Sequence, residues 1–121
     1  MSDTFNTYGY SFQIKLLAAL FKNKIFLQQI SDILESEYFE SDSNKWIATT
    51  VIDYFTEYKL SPTLEVMKVR VDSVDNEVLK TSIVDTLKEI VKNIDADDMD
   101  FVQNETIKFC KNQKLKGAIM D

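Results

Sequence analysis

Residues 76–94 read NEVLKTSIVDTLKEIVKNI, and this stretch decides the fold class. Leu79, Ile83, Leu87, Ile90 and Ile94 return at three- and four-residue steps. A helix of about 3.6 residues per turn gathers such positions on one face. Val84 and Val91 widen the stripe, and Asn76 stands where the helix opens. The pattern predicts an amphipathic helix over 76–93, the strongest in the chain.

The totals extend that reading to the whole molecule. The 121 residues include only two glycines and one proline. Sandwiches and barrels need many tight turns, and turns draw on those two residues. Long helices with few connections are the expectation. An apolar fraction of 45% and a charged fraction of 28% suit one ordinary globular core.

Upstream, four more helices are signalled in order. Phe12, Leu16, Ala19 and Leu20 predict a helix over 12–22, with Ser11 as its cap. Phe26, Ile30 and Ile33 predict a second over 25–36, after which Tyr38 and Phe39 are expected to fold back as anchors. Asp42 and Ser43 are the foremost caps for a third helix over 44–59, whose face holds Ile47, Val51, Tyr54, Phe55 and Tyr58 beside Trp46. That aromatic stripe lacks interleaved basic residues, so it reads as core rather than as a base-stacking platform. Ser61 and Pro62 mark a fourth helix start, over 62–69, with Glu65 at the positive end of the dipole. KVRVDSV (68–74) alternates like a strand, but with no partner strand in view the helical reading is kept.

Downstream, a sixth helix follows the acidic run DADDMD (95–100). The run fails as a calcium loop. Aligned on Asp95, it puts Met99 at the fifth place, Asp100 where glycine is needed and Thr106 where the bidentate Glu belongs. The final stretch, FCKNQKLKGAIMD (109–121), has Lys111, Lys114 and Lys116 ahead of Gly117, and local rules place a helix C-terminus there. Lys108, Lys111 and Lys114 form a slowly turning basic ridge. The expected fold is all-α: a compact, orthogonal multi-helix bundle of about six helices. Its expected parts are a flexible arm over 1–10, a globular head over 11–97 and a projecting helix over 98–121.

The composition removes many chemistries. Histidine is absent, so Ser-His-Asp, Cys-His and His-ligated metal sites cannot be built. Cys110 is the lone cysteine and reads as a small buried apolar residue. With glycine only at 9 and 117, neither a P-loop nor a dinucleotide fingerprint can be written. Carboxylate pairs such as Asp32 with Glu35 and Asp85 with Glu89 lack an apolar pocket to raise a pKa. No catalytic, cofactor-binding or metal site is expected, which leaves binding or assembly.

A net charge of −6 argues against phosphate binding by this domain alone. The charge is uneven: residues 1–107 hold 19 acids and 10 bases, while 108–121 hold four lysines and one Asp. That asymmetry is expected to mark either a partner or a continuing chain. MSDTFNTYGYSF (1–12) lacks the basic flank and apolar stretch of a signal peptide. The longest apolar run, Leu16–Phe21, is far short of the roughly 20 residues that span a bilayer. A cytoplasmic protein without membrane contact is expected.

The order of these blocks resembles the N-terminal domain of DnaB-type hexameric replicative DNA helicases. The likeness rests on Leu16–Leu17, on the Tyr38–Phe39 anchor, on Trp46–Tyr58, on Ser61–Leu64 and on FVQNETIKFCKNQKLKGAI (101–119), and covers residues 12–120. Cellular members carry a Gly-Gly step that VDSVDNEVLK (71–80) lacks, which points to a phage-type branch. The resemblance implies a collar domain for ring assembly in DNA replication, with self-association through a helical hairpin and docking of primase or helicase loader. It implies that Gly117 lies inside a continuing helix. Lys108, Lys111, Lys114, Leu115, Lys116, Ile119 and Met120 are the implied subunit or partner contacts. ATP, magnesium and DNA would belong to a motor in the parent protein, in a bacterial or phage-infected cell, and no enzyme activity is expected of this chain. The alternative is a stand-alone acidic helical phage adaptor that binds a host or replication protein.

Overall fold

The computed structural model describes residues 4–120, with side chains for 4–117. The described residues form six α-helices: α1 (Tyr10–Lys22), α2 (Lys24–Ile30), α3 (Asp42–Tyr58), α4 (Leu64–Asp72), α5 (Glu77–Lys92) and α6 (Met99–Met120). Two short 3-10 helices, Phe5–Tyr8 and Ser36–Tyr38, precede α1 and α3, and no strand occurs among the described residues. The all-α bundle expected from the periodicity is the fold observed.

α1 is the axis of the core. Phe12, Ile14, Leu16, Leu17, Ala18, Ala19 and Leu20 are all buried, so the helix is apolar nearly all round. A helix of that kind must be surrounded, and α2, α3, α5 and α6 pack on it. The expected stripe is therefore too narrow: Ile14 and Ala18 also face protein. Gln13 is buried too, with its Nε2 donating to the carbonyls of Gly9 at 3.2 Å and Phe5 at 3.4 Å. Its Oε1 accepts from Asn44 Nδ2 at 3.3 Å. Ser43 and Thr86 hydroxyls, 3.2 Å apart, extend this polar seam between α3 and α5. No buried side-chain polar atom among the described residues lacks a partner, as a low-dielectric interior requires.

The expected flexible arm over 1–10 is corrected from Thr4 onward, residues 1–3 lying outside the described residues. Phe5 is fully buried, its ring 4.6 Å from that of Phe109 and 5.0 Å from that of Phe39. Thr4 caps the 3-10 turn and donates to Glu40 Oε1 at 3.1 Å. Burial of this aromatic offsets part of the entropy lost in ordering the residues that deliver it.

Helix starts move by one or two residues, each for a capping reason. α1 opens at Gly9, not Ser11, because Gly9 adopts φ 89°, a left-handed value open to glycine. Ser41, rather than Asp42 or Ser43, caps α3 by accepting from the Asn44 amide. Thr63 caps α4, so Pro62 lies outside the helix and Ser61 is free to bind the Leu20 carbonyl at 3.1 Å. α2 stops at Ile30, six residues short of expectation, and a turn brings Leu34, Tyr38 and Phe39 onto the core as anchors. α5 matches its expected span, capped by Asn76.

Candidate interaction surface on α6

α6 is where the core ends and a free face begins. Val102, Thr106, Phe109 and Cys110 are its buried stripe. Phe109 is ringed by Phe5, Tyr8 and Tyr38, with centroids 4.6, 6.1 and 5.4 Å away. The expected boundary at 97/98 is thereby corrected: the first half of α6 belongs to the head. Burial pushes the Cys110 thiol up to about 12, consistent with its reading as a small apolar residue. Burial likewise raises the phenol pKa values of Tyr8, where Glu105 adds, and of Tyr38.

Acidic and basic side chains fasten α6 and the turn before it. In the DADDMD run, Asp98 accepts from Lys15 Nζ at 2.9 Å and Asp95 pairs with Lys22. The Lys15 hydrogen bond holds the Asp98 carboxyl below the usual carboxylate range. Asn23 Nδ2 donates to Gln103 Oε1 at 3.2 Å. These acids clamp the turn to α1, and among the described residues no group of three or more His, Cys, Asp or Glu is placed to hold a metal ion.

The expected contact residues divide by role. Lys114 is held by Glu35 at 2.6 Å, which raises its pKa, so it fastens α6 to the segment after α2. Lys108 sits 3.6 Å from Glu105, one turn back on the same helix. Lys111 and Lys116 are exposed, and Leu115 is 59% exposed. The side chains of Ile119 and Met120 lie outside the described residues. The helix runs through Gly117 to Met120, which corrects the helix end that local rules place at Gly117.

One residue of this face escaped the sequence reading. Phe101, which is not among the expected contact residues, is 58% exposed. Phe101, Lys108 and Leu115 recur every seventh residue, and Lys111 lies beside them. At about 100° per residue this line points roughly opposite the Val102–Thr106–Phe109–Cys110 stripe. The seven-residue recurrence of Phe101, Lys108 and Leu115 was the signal available in the sequence. The result is an outward stripe with large apolar side chains at both ends and lysines between.

A concavity of about 770 Å³ lies over the polar seam, lined by Gln13, Ser43, Asn44, Asp85, Thr86 and Lys88 among others. Its buried amides and hydroxyls bond to one another or to backbone carbonyls, so they hold elements together. No helix among the described residues is long and apolar enough to cross a membrane. No known protein family, curated protein or solved structure matches the chain.

Proposed function

We propose that this chain is an assembly and partner-docking domain of the kind that forms the collar of DnaB-type replicative helicases, and not an enzyme. The observation that carries the reading is the outward stripe of α6, Phe101–Lys108–Lys111–Leu115, on a helix whose first half is built into the head through Val102, Thr106, Phe109 and Cys110. In this reading α6 is the first arm of a helical hairpin. Phe101 and Leu115 anchor a second subunit, and Lys108 and Lys111 set register against an acidic face. Lys108 and Lys111 on this stripe, on a protein of net charge −6, give it a sign opposite to the body and so favour an acidic partner face, that of a second copy's body included. The block order shared with the helicase collar domains supports the same reading from the sequence side. Primase or helicase loader would then be the external partner during DNA replication.

Sedimentation of this chain at high concentration tests the proposal. Self-association that Leu115→Asp and Phe101→Asp each weaken is the expected result. Strictly monomeric behaviour of the native chain would remove its basis.

A further inference from the structure

The face that α4 and α5 present together is apolar, concave and uncovered. Val71 and Leu87 form the floor of a groove of about 360 Å³ and are buried. Its walls are Leu64, Val84 and Val91, which are 44%, 37% and 46% exposed. A second concavity of about 400 Å³ shares Leu64 and Val91 with the first and continues it over Pro62 and Ile90. Apolar side chains left half in water beside a buried floor gain by being covered.

The dimensions fit a helix. Leu64 and Val71 are seven residues apart on α4, as are Val84 and Val91 on α5. Each pair spans about 10 Å along its helix, two turns, which is the length that an i, i+3, i+7 row of anchors occupies. The rim gives the partner's sign. Lys68, Lys88 and Asp72 border the groove. Neither lysine has an ion-pair partner among the described residues, whereas Lys15, Lys22, Lys92, Lys108 and Lys114 all do. Two unpaired cations against one carboxylate make the rim locally positive on an acidic protein.

We infer that the α4–α5 groove docks an amphipathic helix of a partner protein, whose apolar row is flanked by carboxylates that meet Lys68 and Lys88. The groove contains no residue of α6, and the inference stands apart from the helicase reading.

The test uses two fluorescein-labelled synthetic peptides of about 16 residues, long enough to form a helix when bound. Both carry leucine at i, i+3 and i+7, one flanked by glutamates and the other by lysines. Fluorescence anisotropy at low salt follows their binding to the 121-residue chain. The chain's net charge alone favours the lysine peptide, so a preference for glutamate reports the rim. The glutamate peptide is expected to bind about tenfold or more tightly than its counterpart. Lys68→Glu with Lys88→Glu should reverse that order, and Val84→Asp should abolish binding. Equal affinities, a preference for the lysine peptide, no saturable binding by either, or indifference to the double charge reversal would each overturn the proposal. So would self-association that Val84→Asp dissolves, because the occupant would then be a second copy. The double reversal alters only exposed side chains, and it decides the matter if Val84→Asp does not fold.

Discussion

Phe5 shows how much one side chain can settle. It sits among polar residues near the start of the chain, where nothing in the local pattern marks it as core, yet it closes the aromatic cluster around Phe109. Phe5→Ala should cost about 3–5 kcal/mol in urea denaturation, a large share of the stability of a domain this size. Cys110 is the converse, since its apolar helical neighbours announce its burial. Its folded pKa, raised from 9.0 to about 12, favours the protonated form in the native state. The associated stability is whole below pH 9 and is lost as pH rises towards 12, because the unfolded chain releases that proton first. Cys110→Ala should therefore flatten the alkaline limb of the stability profile over that window. Asp98 has the opposite sign. Its depressed pKa contributes stability above the ordinary value of 3.8 that is lost as pH falls through the folded value. Lys15→Met should reduce the acid dependence of the unfolding midpoint below about pH 4.

Among the elements, α5 was legible to within a residue at each end because pattern and cap agree: a regular apolar face follows Asn76. α2 was not. Ile33 and Leu34 continue its periodicity, but the chain must leave the helix at Ile30 for Tyr38 and Phe39 to reach the core. Tertiary burial outweighs a few residues of helix propensity. α3 ends at Tyr58 and is capped by Lys59, whose φ of 62° is left-handed. That conformation costs a non-glycine residue about 1 kcal/mol, so Lys59→Gly should stabilise by about 0.5–1 kcal/mol, read as a raised urea midpoint. Gly117 tests a different rule. It lies in α6, and a Cβ there would meet no atom within 4 Å. Gly117→Ala should raise helicity by circular dichroism and stabilise by up to about 1 kcal/mol. A left-handed cap at that position would give the reverse sign.

At the scale of the molecule, α1 makes the fold. Burying both of its faces requires α2, α3, α5 and α6 on different sides, and the acidic turn before α6 is clamped to it through Lys15 and Lys22. The outer line of α6 and the groove between α4 and α5 are among the apolar surfaces this arrangement leaves uncovered. The first was half legible. The lysines stood out by charge asymmetry and Leu115 was implied by the resemblance, while Phe101, an aromatic beside an apolar stripe, carried no such mark. Lys114 belongs to the same ridge by spacing but is spent on Glu35. Lys114→Ala should accordingly leave self-association nearly unchanged in sedimentation, whereas Lys111→Glu should weaken it.

The sequence by itself determined the class of the fold, the succession of six helices and the exclusion of histidine- and P-loop-based chemistry. Those follow from local periodicity and from which residue types exist at all. Which apolar residues face water, where α2 stops and which cations are already paired were decided only in the tertiary structure. Such properties depend on which helices surround α1, and a pattern along one chain segment carries no information about its neighbours in space.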